Sequence, residues 1–265
     1  MTQAQWLAVS EFRQEFRDLC KAWEAYAPQL RPLQKEAAAA DTPPYPLETP
    51  VVYNRDYDRL CPEDELTLIV IGDNPGKEEQ LDRNRRYLVG QSGRVAEGFF
   101  RRNPELRTDF RKNVLIMNKT PVHTAKTAHL RYLIRNGGAD IQALIAESQR
   151  RMAQLAAVLH QRLVESRAPG SPAVQLWLVG YAELKGKGLF LGYRDALLDA
   201  YRRDASGSEQ GFCPAWDAVC VFQHFSMNRF LIDLKGFRET HPELSLEQSL
   251  AALGHHHRSE IFASA

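Results

Sequence analysis

A chain of 265 residues, 44% hydrophobic and 25% charged, can bury a substantial core and has the composition of an ordinary globular protein. Its formal net charge of +1 gives no global basic footprint, so any nucleic-acid surface must be local. No window approaches the roughly 18 consecutive apolar residues of a membrane span, and Cys20, Cys61, Cys213 and Cys220 lack the spacing of a zinc ribbon or the density of a disulfide framework.

The opening segment MTQAQWLAVSEFRQEF is amphipathic and acidic where a secretory signal carries an apolar run, which predicts a cytoplasmic protein with no membrane partner. From Trp6 to about Leu33, apolar residues at helical spacing predict one or two amphipathic helices. Residues 37–50 hold four prolines and an alanine run, the composition of a linker or an extended wrap. The pattern then changes to short continuous apolar runs, each reading as a buried parallel strand: LTLIVIG (66–72), NVLIMN (113–118), VQLWLVG (174–180) and AVCVFQ (218–223). Helical patterns lie between them at 93–102, 140–166 and 189–203.

Strands alternating with helices predict a three-layer α/β/α sandwich around a central, mostly parallel four-stranded sheet, with ligands at the carboxyl ends of the strands. The expected organisation is one domain, with an N-terminal helical extension and linker (1–50), a core (51–235) and a polar tail (236–265) weakly helical at 244–253. His255, His256 and His257 in that tail point in different directions and cannot chelate one ion, so a solvated turn is expected there and no metal.

Every predicted strand ends on residues with chemical content. After the first comes Gly72-Asp73-Asn74-Pro75-Gly76, where glycine permits a tight turn, Pro75 stiffens it and Gly76 allows a ligand to approach the backbone. D-N-P-G is also a good turn in any protein. Asn118 ends the second strand with an amide that pairs a donor and an acceptor, suited to a planar base edge or to an Asx turn. Past the fourth lies His224-Phe225-Ser226-Met227-Asn228-Arg229, where Ser226 and nearby amides suit a phosphate and Arg229 its charge. Local basic residues are Arg83, Arg85, Arg86, Arg94, Arg101 and Arg102, with Lys185 and Lys187 flanked by glycines; arginines on a helix are usually just a solvated face.

Together these segments resemble the uracil-DNA glycosylase superfamily over about residues 66–230. GDNPG is similar to the family's first motif. Asn74 matches the G-x-N-P-G form of the mismatch-specific and single-strand-selective branches, while Asp73 sits where the iron–sulfur branch has an acid. YLVGQSG is similar to the (F)VGxAG stretch of that last branch. Asn118 matches the base-reading asparagine, and His224-Phe225-Ser226 resembles the H-P-S motif with phenylalanine for proline. The four cysteines do not supply the cluster arrangement, and Leu88, with Tyr87 beside it, stands where a phenylalanine stacks on uracil.

The resemblance implies a monomeric, monofunctional DNA repair enzyme, needing no cofactor, that flips uracil or another deaminated base from DNA and hydrolyses its N-glycosidic bond. Asp73 or Asn74 would position water, Asn118 would read the base, and His224 would stabilise charge on the departing base. Gly72, Pro75, Gly76, Tyr87 and Leu88 would complete the pocket. Ser226, Met227, Arg229, Lys185 and Lys187 would meet DNA, with Met227 or Phe225 as the wedge that fills the gap. Two rivals stay open: a catalytically altered member that only binds nucleic acid or nucleotide, and an unrelated nucleotide-binding α/β protein in which GDNPG cradles a phosphate.

Overall fold

The computed structural model describes residues 1–202 and 211–263. In chain order its elements are α1 (Gln3–Trp23), α2 (Ala27–Ala39), β1 (Leu68–Gly72), α3 (Gln91–Arg102), β2 (Val114–Asn118), α4 (Leu130–Asn136), α5 (Gly138–Glu165), β3 (Gln175–Val179), α6 (Leu191–Arg202), β4 (Val219–Phe222), α7 (Arg229–Thr240) and α8 (Leu246–Phe262). The four strands form one parallel sheet in the order β2-β1-β3-β4. Each apolar run yields its strand, trimmed by one or two residues, and β1 is buried along its whole length as a central strand must be. The helix expected at 189–203 is α6 as far as Arg202; Arg203 lies outside the described residues.

Helices pack on both faces of the sheet, an α/β/α sandwich. On one side α5 packs against α1, α4 and α6; on the other α8 lies on β4 and against α7. An aromatic cluster ties α3 and α7 to the sheet on this second side, with Phe100 against Trp177 at 5.5 Å and Phe230 against Phe222 at 5.5 Å. One continuous set of buried residues runs from Ala8 to Phe262.

Both ends of the chain are thus integral to the core, against the expectation of an extension and a polar tail. The alanine run belongs to α2, and only the following proline-rich stretch is extended. It is pinned by Arg31 to the carbonyls of Leu47 and Glu48 and by the buried Gln80, which donates to Pro46 O at 2.7 Å. His255, His256 and His257 lie within α8, not in a solvated turn: His255 meets Asp217 O, His256 faces Glu260, and His257 packs on Tyr181 at 4.6 Å. All four cysteines are unpaired. Among the described residues no helix is long and apolar enough to cross a membrane.

Candidate functional site

In the order β2-β1-β3-β4 the chain leaves β1 toward β2 on one side and leaves β3 toward β4 on the other. The crevice between the carboxyl ends of β1 and β3 is therefore the topological switch point, where open α/β sheets place ligands. Asp73 follows β1 on one wall of the crevice and Gly180 follows β3 on the other.

A residue the sequence reading passed over fills the floor. Lys119, one residue past β2, is fully buried, and its Nζ lies 2.6 Å from Asp73 Oδ1, 2.5 Å from Val179 O and 3.4 Å from Gly72 O. Burial lowers the Lys119 pKa, and the Asp73 carboxylate opposes that shift; three acceptors around Nζ suit an ammonium paired with the carboxylate. Phe190 presents its ring 4.9 Å from the charge. Gly180 adopts φ +100°, and a Cβ there would come within 2.4 Å of Asp73 Oδ1. Among the described residues the other Asp73 oxygen, Oδ2, meets only Thr127 Oγ1 at 3.4 Å. Nothing in an apolar strand followed by Asn-Lys-Thr reveals that this lysine turns inward, since lysine at a strand exit is normally solvated.

The two candidate water-positioning groups part company. Asn74 directs its Nδ2 away from the crevice to Thr124 Oγ1 (2.8 Å) and Val122 O (3.3 Å), locking the GDNPG loop to the segment after β2. His123 helps it: buried, and pushed down to about 4 by that burial, the neutral ring donates from Nδ1 to Pro75 O at 2.8 Å and accepts from Tyr45 at 2.9 Å. Gly76 N donates to Glu79 Oε2 at 3.1 Å, so this amide is not free for a ligand. The glycine that packing demands is Gly72, where a Cβ would stand 2.6 Å from Asn118 Oδ1; one at Gly76 would touch nothing.

Asn118 pairs in register with Gly72 and is only 1% exposed. Its Nδ2 has no hydrogen-bond partner among the described residues, an omission costing about 1–3 kcal/mol in a buried site.

His224, past β4, is half-buried. Its Nδ1 accepts from Ser226 N at 3.1 Å and from Ser226 Oγ at 2.8 Å, so the neutral ring carries its proton on Nε2. Burial lowers its pKa, Asp73 opposes that shift, and Lys119 and Arg229 add to it, which favours the neutral donor. Phe225 is completely buried, its ring against Phe230 at 4.9 Å, while Phe230 N holds His224 O at 3.1 Å. It belongs to the core and cannot serve as a wedge. Met227 is 67% exposed, and both it and Asn228 hold left-handed φ (52° and 56°), a strained turn that thrusts the thioether into solvent.

Other candidates are engaged elsewhere. Tyr87 is fully buried with its hydroxyl on Val52 O at 2.5 Å, leaving no face for a base in this conformation. Leu88 is buried at φ +50°, its carbonyl so close to Gly93 that a Cβ there would sit 1.5 Å away. Ser226 spends both its donors on His224. Lys185 lies 2.5 Å from Tyr181 Oη, which donates to Glu260 at 2.6 Å; Lys187 is exposed. Arg83, Arg85 and Arg86 pair with Glu78, Asp82 and Asp56, whereas Arg94, Arg101 and Arg102 form no ion pair among the described residues. Arg229, exposed at the start of α7, stays near His224. A separate cleft of about 1070 Å³ lies at the amino ends of β1 and β3, far from this chemistry.

Fold and site thus define an α/β protein whose polar groups converge at the switch point of a parallel sheet. No family model, curated protein or solved structure matches the chain.

Proposed function

We propose that the protein is a uracil-DNA glycosylase-like hydrolase of the N-glycosidic bond of uracil, or of a related deaminated base, in DNA. The observation that supports it best is the gathering of Asp73, Asn118 and His224 at the ends of three strands, with the Asn118 amide unpaired and the His224 ring tautomer fixed to donate from Nε2. In this reading the C1′–N bond breaks with its electron pair leaving on the base. Nε2–H of His224 stabilises the base oxygen that gains charge, an interaction of the kind worth about 3 kcal/mol. A water oxygen bonds C1′ and gives its proton to Asp73 Oδ2, the carboxylate oxygen not held by Lys119. Asn74, whose amide is spent on Thr124, fixes the loop. Met227 is the wedge, and Arg229 with the unpaired arginines of α3 faces the phosphates. The enzyme would work as a monomer in the cytoplasm.

The test is release of free base. Purified protein incubated with single-stranded or mismatched DNA containing uracil should liberate uracil, and His224→Ala should slow this by about a hundredfold or more. No release from uracil, hypoxanthine or xanthine substrates would remove the enzyme reading. Retained binding to such DNA would then leave a nucleic-acid-binding module on the same site.

A further inference from the structure

We propose that Lys119 is a positioning residue: it grips Asp73 by Oδ1 and so fixes Oδ2 as the oxygen that accepts the proton of the attacking water. That Asp73 takes this proton rests on the glycosylase reading; the grip of Lys119 on Asp73 does not.

Lys119 and Asp73 are joined twice. The backbone N–H of Lys119 is shared between Gly72 O and Asp73 O, each at 3.0 Å, which sets the two residues side by side at the exits of β1 and β2. The side chain then turns inward, and Nζ reaches Asp73 Oδ1 at 2.6 Å. Val179 O at the end of β3 and Gly72 O at the end of β1 are the other two acceptors around Nζ, so its three N–H bonds are engaged and none is left for a substrate. Phe190 covers the charge. The wall formed by Gly180 closes on the same pair: a Cβ there would stand 2.4 Å from Asp73 Oδ1 and 3.1 Å from Lys119 Nζ, so glycine at this position is what lets the two groups meet. Of the nine lysines, all within the described residues, the other eight are exposed.

The terminal torsion of an aspartate is broad and two-fold, so an unheld carboxylate would offer either oxygen over a range of directions. Attack on C1′ needs the water held in line, and a misplacement of about 1 Å costs about a hundredfold in rate. Holding one oxygen by a short charge-assisted bond leaves the other in a fixed direction. Lys119 therefore acts on the reaction through Asp73 alone. Removing Lys119 from a chain that already lacks the Asp73 carboxylate should cost nothing more in rate, whereas a lysine that served packing alone would add its own loss.

The experiment joins NMR to kinetics on the full chain. With ¹⁵N-lysine labelling, the one buried lysine is recognised by an Nζ signal that exchanges slowly with water at neutral pH, so its assignment needs no variant. We expect an ammonium signal in the native protein, shifted or lost in Asp73→Asn. An amine signal, or no slowly exchanging signal, in the native protein overturns the proposal whether or not any variant folds. So does a signal indifferent to Asp73→Asn. With uracil-containing DNA, Lys119→Gln should lower kcat about a hundredfold with KM within about threefold. The double variant Asp73→Asn/Lys119→Gln should be no slower than Asp73→Asn alone. An unchanged kcat in folded Lys119→Gln, or losses that multiply in the double variant, overturn the positioning role. If the native protein shows the paired ammonium but releases no base, the glycosylase reading falls and the grip of Lys119 on Asp73 stands.

Discussion

At Lys119 the chain places an ammonium in its interior and surrounds it with a carboxylate, two carbonyls and an aromatic face. Such a pair adds little net stability, because desolvation offsets the attraction, but removing one partner strands the other charge. Lys119→Met should therefore cost about 3–5 kcal/mol, read as a lower urea midpoint with unchanged slope. The double variant Lys119→Met/Asp73→Leu should recover much of that loss; equal midpoints for the single and double variants would sink this account. Asp73, Asn118 and His224 were legible in the sequence because each ends or follows an apolar run. Lys119, Glu79 and His123 were not. Lysine and glutamate beside turns usually face water, and only the packing of three strand ends and the proline-rich wrap turns these inward.

Among the elements, α8 departs furthest from its sequence. Its contact face uses Ser249 and Gly254 beside Leu246, Leu250 and Leu253, and small residues carry no weight in an apolar pattern although they allow the closest approach. A Cβ on Gly254 would stand 2.5 Å from Cys220 Cβ and 2.8 Å from the Phe222 ring. Gly254→Ala gains about 1 kcal/mol of helix propensity, yet overpacking against β4 costs about 1–3 kcal/mol and should prevail. We expect a lower melting temperature for Gly254→Ala, whereas Gly236→Ala in α7, where a Cβ meets nothing, should raise it. The reverse order would show that α8 does not rest on β4 so closely. The four strands and α5 were read almost to the residue, since long or continuous apolar patterns outweigh local ambiguity.

For the molecule as a whole, buried histidines set the response to acid. His123 and His160 are each held down to about 4 by burial, whereas an unfolded histidine takes its proton near 6.5. Between these values the unfolded chain binds more protons, so stability falls as pH drops from about 6.5 toward 4, by at most about 3 kcal/mol per histidine. Glu79 acts in the opposite sense. Its folded value of about 7 lies above the unfolded one, so it contributes stability that is lost as pH rises from about 4.5 to 7. Two histidines outweigh one carboxyl, and thermal melts should drop on acidification through that window. His160→Gln should flatten the slope, and a melting temperature independent of pH from 6.5 to 4 would contradict these assignments.

The sequence by itself determined the layered α/β class, the four strands and the positions where their ends carry chemistry, because strand burial and periodicity are written in local patterns of apolar residues. Tertiary structure alone decided the strand order and hence the crevice, the inward turn of Lys119 and Glu79, the withdrawal of Tyr87 and Asn74 from the site, and the docking of α8. Each depends on which distant segments meet, and on whether a polar group finds its partner there, quantities that no local pattern contains.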